Sequence, residues 1–467
     1  MKLVVKPGQH LQGTIGGNSS FRLPGDKSIS HRAALFSAMA QGDSIIEHFL
    51  VSGVTIPLLE ALRILGVDWK LNGTTLSVHG EGLEHWRAPQ GSVYCGNSAT
   101  TLRLLAGALA AAGIAAVLDG SDGLRRRPMG RIVEPLRQMG VQVEGSAENT
   151  APLLFTARPS GRRLRPIQYI LPVASAQVKS CLLLAALAAD GTTQLTEPGH
   201  SRDHTERMLK SMGVAVRFPN DDPILELDSS QNNSSKYTVQ ITPPDPLVLS
   251  PLRLTVPGDL SSAAFLIVAG IITPGSEITI KEVGLNPGRT GLLDALRQMG
   301  ASIEIDGVKE RGGEPVGDII VRGSPLKAIK VSGPLVVRMI DEFPAFAIAA
   351  AYAEGVTLVC DAEELRTKES DRISALCQEL NVIGVQADDR PDGFSIQGGN
   401  LPRGGIINPH GDHRLAMSLA VAGLAAQEGV EVADAEIMDE SFPGFIEILQ
   451  QLGGDLEAVP ETVGKER

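Results

Sequence analysis

The sequence predicts an α/β protein of two similar domains, each holding three copies of one helix-and-strand unit. Three observations carry this. An apolar helical stripe closed by a glycine occurs six times. Period-two apolar alternation follows most of those glycines. A Pro-Gly-Asp tripeptide opens each half, in Leu23-Pro24-Gly25-Asp26 and in Val256-Pro257-Gly258-Asp259.

The stripes place apolar residues at i, i+4 and i+7, with glycine next. They are Leu58/Leu62/Leu65/Gly66, Ile132/Leu136/Met139/Gly140, Leu292/Leu296/Met299/Gly300, Leu376/Leu380/Ile383/Gly384 and Phe445/Leu449/Leu452/Gly453. The sixth, Thr205/Leu209/Met212/Gly213, is polar at its first position. Such spacing buries one helical face, and glycine takes the left-handed conformation that ends a helix cheaply. The pairs Val141/Val143, Val214/Val216 and Ile303/Ile305 then alternate as strands do. Upstream of the stripes, an Ala/Leu-rich segment, a glycine and a short strand recur, as in residues 38–46, 185–195, 268–280, 349–359 and 422–432. The repeat is too long and uneven for a solenoid. The polar stretch from Asp228 to Lys236 and the run Pro243-Pro244-Asp245-Pro246 suit a boundary, with three units on either side. Two similar domains facing each other would offer a ligand site in the cleft between them.

Composition narrows the function. With 42 Lys+Arg against 54 Asp+Glu, the net charge of −12 speaks against non-specific nucleic-acid binding, so an anionic ligand must meet a local basic site. A hydrophobic share of 43% excludes disorder as the main state. No run of eighteen apolar residues is present, and residues 1–21 lack the apolar core of a signal peptide, so a cytoplasmic protein is expected. Cys95, Cys181, Cys360 and Cys377 are spaced for neither zinc nor a disulfide framework and read as reduced, structural thiols. No metal is predicted.

Five loop-to-helix segments carry polar residues that a fold does not obviously need. In Pro24–Arg32, a helix start flanked by Lys27, Ser28 and Arg32 would suit phosphate. The alternative is a capped helix with solvated charges, and cations in a first turn oppose the helix dipole. In Cys95–Arg103, small residues allow close approach to a ligand, while Asn97 or Ser98 equally suits an ordinary N-cap. Between Asp119 and Arg131 stand Arg125, Arg126, Arg127 and Arg131, of which one or two at most could face one ligand. Ser175 and Gln177, at the start of an apolar helix, suit sugar or cyclitol hydroxyls or another cap, and Arg202-Asp203-His204-Thr205 adds a cation. The second half contributes Asp341-Glu342, Arg366–Arg372 and Gly411-Asp412-His413-Arg414. Lys368 and Arg372 are i, i+4 and are expected to share a helical face, either in a site or in a surface salt-bridge lattice. Together the segments predict a small, highly anionic ligand carrying phosphate and carboxylate.

The motifs Leu23–Arg32, Gly96–Thr100, Arg127-Pro128-Met129-Gly130, Ser175–Ser180, Arg202–Thr205, Lys368–Arg372 and Asp412-His413-Arg414 closely resemble those of the EPSP synthase family, in collinear order over nearly the whole chain. The chain looks most like the bacterial branch that contains glyphosate-tolerant members. The resemblance implies an α/β (α+β), two-domain, inside-out barrel-like fold, each domain of three βαβαββ units. One domain would comprise residues 1–22 and 255–467, the other residues 23–254, with the site between them. It implies transfer of the carboxyvinyl group of phosphoenolpyruvate to the 5-hydroxyl of shikimate 3-phosphate, releasing phosphate, in chorismate and aromatic amino-acid biosynthesis. No cofactor, nucleic acid or membrane partner is implied, and a monomer is expected.

The residue roles follow from the same resemblance. Lys27, Ser28, Arg32, Ser175, Ala176, Gln177 and Arg202 would hold shikimate 3-phosphate, with Asp341 and Lys368 beside its hydroxyls. Lys27, Asn97, Ala99, Arg127, Gln177, Arg372 and Arg414 would surround phosphoenolpyruvate. Arginines can clamp carboxylate and phosphate in fork geometry. Asp341 would take the proton of the attacking hydroxyl. Glu369 would protonate the methylene carbon and later take a proton back, with Lys27 as a third catalytic group. Two departures stand out. Glu440 precedes Ser441-Phe442-Pro443 where many relatives carry lysine, and Ala99 stands where glyphosate-sensitive relatives have glycine. A related UDP-N-acetylglucosamine carboxyvinyltransferase would carry Lys-Asn in the first motif and a cysteine near Arg127. Here Lys27 is followed by Ser28, and residues 119–131 hold no cysteine. A non-catalytic α/β repeat scaffold is the alternative from another class.

Overall fold

The computed structural model describes residues 1–17, 19–219 and 237–460, so the stretch from Asp228 to Lys236 lies outside the described residues. In chain order the helices are α1 (Lys27–Met39), α2 (Ile56–Ile64), α3 (Ala99–Ala112), α4 (Asp122–Arg125), α5 (Gly130–Gln138), α6 (Ala176–Ala186) and α7 (His204–Ser211). They continue as α8 (Leu260–Ile272), α9 (Gly291–Gln298), α10 (Pro334–Arg338), α11 (Phe343–Ala351), α12 (Arg372–Val382), α13 (His413–Gly423) and α14 (Phe445–Gln451). The six stripes are α2, α5, α7, α9, α12 and α14. All their stripe residues are buried, and the closing glycines have φ between +83° and +103°. Thr205 is buried as well, its hydroxyl bonded to Arg32 and Ser180. That pairing is why a polar residue can occupy a stripe.

Among the described residues, six four-stranded sheets accompany the helices. In each, an outer strand runs parallel to the second, and the second pairs antiparallel with the third. Three units are contiguous βαβαββ runs, such as Ser92–Tyr94, α3, Ala116–Asp119, α5, Val143–Glu144 and Leu153–Phe155. The other three borrow a strand from far along the chain. Arg253–Thr255 completes the sheet around Gln41–Glu47. Gln12–Ile15 completes the sheet around Glu277–Gly284. Lys2–Lys6 inserts between Val430–Val432 and Asp455–Val459.

The chain divides into two compact units, one of residues 1–24, 257–310 and 315–467, the other of residues 25–256 and 311–314. Each has its own hydrophobic core. In the first unit every residue of α8, α11 and α13 is buried; for α8 and α11 this is expected of helices apolar nearly all round, while α13 also buries His413, Arg414 and Ser418. In the second, α3 and α6 come close because Gly107 faces the Cys181 carbonyl. A Cβ at Gly107 would lie 2.3 Å from that oxygen. No helix of the described residues is long and apolar enough to cross a membrane.

Candidate active site

In the unit of residues 25–256, the polar segments sit at the N-termini of its most buried helices. Asp26 caps α1, accepting from Ile29 N at 2.9 Å. Gly25 is needed before it for space, because a Cβ would stand 2.0 Å from the His48 carbonyl. Lys27 and Ser28 open α1, half-buried. Arg32, one turn on, is 2% exposed. Its Nε donates to Thr205 Oγ1 at 2.7 Å, Nη1 to the Ser28 carbonyl at 2.9 Å and Nη2 to Ser180 Oγ at 2.8 Å. Burial draws its pKa down to about 10, so it remains charged at neutral pH. His31 beside it is pushed down to about 4, chiefly by burial, and is neutral. Arg202 Nη1 reaches Ser28 Oγ at 3.5 Å. Ser28, Arg32 and Arg202 therefore form one group.

A second group forms where α3 meets α6. Gln177 Nε2 donates to Thr100 Oγ1 at 2.9 Å, and its Oε1 accepts from Arg103 Nη1 at 2.7 Å. Arg103 Nη2 also donates to the Pro128 carbonyl at 2.9 Å, which ties the Arg127 segment to both helices. Ser175 and Ser98 are N-caps, accepting from Val178 N and Thr101 N. Asn97 Oδ1 accepts from Ser121 Oγ at 2.9 Å, and Ala99 begins α3, buried. Ala176 begins α6, and its carbonyl accepts from Ser180 Oγ. In the arginine run, Arg125 is a structural partner, 2.6 Å from Asp119 Oδ2, while Arg127 is half-buried.

The other unit gathers Asp341, Lys368, Glu369, Arg372, Asp412 and Arg414. Lys368 Nζ and Arg372 Nη1 lie 3.6 Å and 3.8 Å from Asp341 Oδ1. Arg372 Nη2 donates to Glu369 Oε2 at 2.6 Å and its Nε to Asp412 Oδ2 at 2.7 Å. Asp412 also caps α13 through Arg414 N, and Arg414 Nη1 donates to the Asp341 carbonyl at 3.0 Å. Beneath Asp341, the Glu342 carboxylate is buried and accepts from Ser261 Oγ. Burial, with Arg372 nearby, pulls the Lys368 ammonium below the ordinary lysine range despite Asp341. Arg372 is 2% exposed, and its Nη1 donates to no acceptor among the described residues.

One sequence expectation is corrected. Lys368 and Arg372 do not share a helical face. Lys368 is extended, after the 3₁₀ turn Glu363–Thr367, and α12 begins only at Arg372 because Asp371 caps it by accepting from Ser374 N. The two cations meet at Asp341 through loop geometry.

The EPSP synthase (3-phosphoshikimate 1-carboxyvinyltransferase) family model matches residues 5–449. The chain belongs to the EPSP synthase family. It is 43% identical over 449 residues to the 3-phosphoshikimate 1-carboxyvinyltransferase of Desulfitobacterium hafniense strain DSM 10664 / DCB-2, covering 96% of this chain and 97% of the relative. It is 45% identical to that of Herpetosiphon aurantiacus, covering 95% and 98%. Among solved structures, an EPSP synthase from Acinetobacter baumannii aligns at a TM-score of 0.82 and 38% identity, covering 98% of this chain and 99% of that one. The enolpyruvyl transferase NikO from Streptomyces tendae, at 20% identity and a TM-score of 0.72 over 98% of each chain, shares the fold.

Several residues that hold these polar groups together carry no role in the sequence pattern. Asp412, Arg103, Thr100, Ser180 and Thr205 were visible only as members of motifs. Their partners lie 25 to 173 positions away in sequence, beyond any local pattern. Arg366 is another. Its five N–H groups meet five acceptors: Pro391 O, Asp371 Oδ2, Ser374 Oγ, Asp389 Oδ1 and Arg390 O. It thereby braces both ends of the loop that carries Lys368 and Glu369.

Proposed function

We propose that this chain transfers the carboxyvinyl group of phosphoenolpyruvate to the 5-hydroxyl of shikimate 3-phosphate. The observation that carries this is Arg372 Nη1, a buried cationic donor 3.8 Å from Asp341 Oδ1 that has no hydrogen-bond acceptor among the described residues. A buried donor left unmade is costly, and an anionic ligand supplies its partner. Arg372, Arg414, Arg127 and Lys27 bind phosphoenolpyruvate, with Asn97, Ala99 and Gln177 lining its place. Ser28, Arg32, Ser175, Ala176 and Gln177 hold shikimate 3-phosphate, with Arg202 at the phosphate and Lys368 near Asp341. Arg32 acts largely by fixing Ser28, since its nitrogens are engaged.

Asp341, ionised beside Lys368 and Arg372, takes the proton of the attacking hydroxyl. Glu369 rests against Arg372. A bound anion that takes over this guanidinium leaves Glu369 free to carry the proton that goes to the methylene carbon. Glu369 accepts a proton from that carbon as phosphate departs, and the departing phosphate carries off the proton held by Asp341, so both carboxyl groups return to their starting states. The protein acts in the cytoplasm as a monomer. The test is phosphate release by the purified chain with both substrates, expected only when shikimate 3-phosphate is present. Release with UDP-N-acetylglucosamine in its place would overturn the assignment.

Two further outcomes are expected on this reading. The Ala99 methyl narrows the phosphoenolpyruvate place and crowds glyphosate, so Ala99→Gly is expected to be inhibited at lower glyphosate concentration than the wild type. Equal inhibition curves would reject this role. Arg366→Lys keeps a positive charge but replaces a planar five-donor fork with a single ammonium. Its kcat is expected to fall roughly ten- to a hundred-fold through misplacement of Glu369, with shikimate 3-phosphate affinity retained. Steady-state kinetics with calorimetric binding would check both halves of that statement.

A further inference from the structure

Lys179 lies on α6, two residues after Gln177, and is 1% exposed. The reaction has no evident use for a buried lysine. Its Nζ stands 2.7 Å from Glu197 Oε1 and 2.8 Å from Glu206 Oε1, both carboxylates 1% exposed, and 5.1 Å from the centre of the Tyr237 ring. Burial alone would lower the lysine pKa, and the two glutamates outweigh it, so Lys179 stays charged. The same Nζ donates to the Ser201 carbonyl at 3.3 Å. Glu197 accepts from Ser201 N at 3.1 Å and from Ser201 Oγ at 2.7 Å. Every polar group of Ser201 is therefore held by the Lys179–Glu197 pair, and the next residue is Arg202. Glu206 ties the same ammonium to α7, whose Thr205 holds Arg32.

We propose that Lys179 is a positioning residue for the phosphate end of the substrate site: the buried Lys179–Glu197–Glu206 triad fixes Ser201, and so aims Arg202 beside Ser28, from the helix that presents Ser175 and Gln177. The inference rests on the placement of the shikimate 3-phosphate phosphate at Arg202. A buried charge set of this kind contributes little net stability when replaced as a whole, but it specifies one geometry for the groups it joins.

Lys179→Met alone strands two buried carboxylates and is expected to fold poorly; pairing it with Glu206→Gln removes one charge of each sign and keeps the buried net charge of the wild type. Binding of shikimate 3-phosphate to the full-length double variant is measured by calorimetry, and kcat by phosphate release. The dissociation constant is expected to rise about ten-fold, the value of one charge-assisted contact, with kcat at saturation and the KM for phosphoenolpyruvate within about two-fold. In an Arg202→Ala background the same double change is expected to add less than about two-fold, because the two sites act through one contact. Unchanged affinity in the double variant overturns the inference, as does an equal loss with and without Arg202. A wild-type chain that binds no shikimate 3-phosphate overturns the proposed function instead, and is told apart by that control.

Discussion

Glu369→Gln is expected to lower kcat by about 10³-fold, within the range of an essential general acid–base group, while both substrates still bind. Glutamine keeps the size of the side chain, and its carbonyl oxygen can still accept from Arg372 Nη2, the bond Glu369 makes at 2.6 Å. What it loses is the ability to carry a proton to a poorly basic carbon and to take one back. Single-turnover phosphate release and calorimetric binding of shikimate 3-phosphate separate these effects. A kcat within ten-fold of the wild type would remove Glu369 from the chemistry. Its neighbour Asp341 would then be the remaining carboxylate, since Asp412 is fully buried and bound to Arg372.

Arg372→Met is expected to cost about 3–5 kcal/mol of stability in the unit that carries it, besides abolishing tight phosphoenolpyruvate binding. The reason is the company Arg372 keeps. It is 2% exposed, bonded to Asp412 and Glu369, and Asp412 is itself wholly buried. Burial alone would raise the Asp412 carboxyl, but the Arg372 guanidinium outweighs it and holds the carboxyl below the usual aspartate range. Its contribution to stability is thus complete above the unfolded aspartate value of about 3.9 and is lost as pH falls through the lower folded value. In the variant, burial acts without the guanidinium and the carboxyl rises. The stability deficit should therefore be largest near neutral pH and shrink in acid. Urea unfolding at pH 7 and at pH 4 checks the sign; a deficit that grows on acidification would contradict it. Arg372→Lys keeps one charge and should fold better, yet still bind phosphoenolpyruvate weakly, because an ammonium cannot serve Asp412, Glu369 and a ligand in one plane.

The origin of these effects was only partly visible in the residues. The motif Lys368–Arg372 was legible as chemistry, because cations and a carboxylate crowded before a helix are unusual in an acidic chain. Its arrangement was not. The i, i+4 spacing suggests one helical face, whereas Asp371 caps α12 and leaves Lys368 extended in the preceding loop. A cap decides by one hydrogen bond where a helix begins, and periodicity does not register it. The Ser98 and Ser175 caps show the converse. Ser98 suits a cap and Ser175 either a cap or a ligand group, and both do cap helices, which leaves their hydroxyls committed at least in part to the fold. Lys179 and Arg366 stood inside motifs but carried no signal of their own roles. A lysine in an apolar helix and an arginine in a charged run look like solvated residues until their partners are known.

The sequence by itself determined the six glycine-closed stripes, the alternating strands after them, the two matching halves and a concentration of cations at helix starts. All of these depend on residues within about one or two turns of each other, where side-chain spacing, caps and glycine's backbone freedom act directly. Only the tertiary structure decided that Lys2–Lys6 completes the last sheet and that Gly107 lets α3 and α6 meet. It also decided that Asp412 clamps Arg372 across 40 residues and that the buried Lys179 ammonium meets the carbonyl of Ser201, the residue before Arg202. Those outcomes belong to packing and to the pairing of buried charges, which depend on which distant surfaces exclude water together, and no local spacing encodes that.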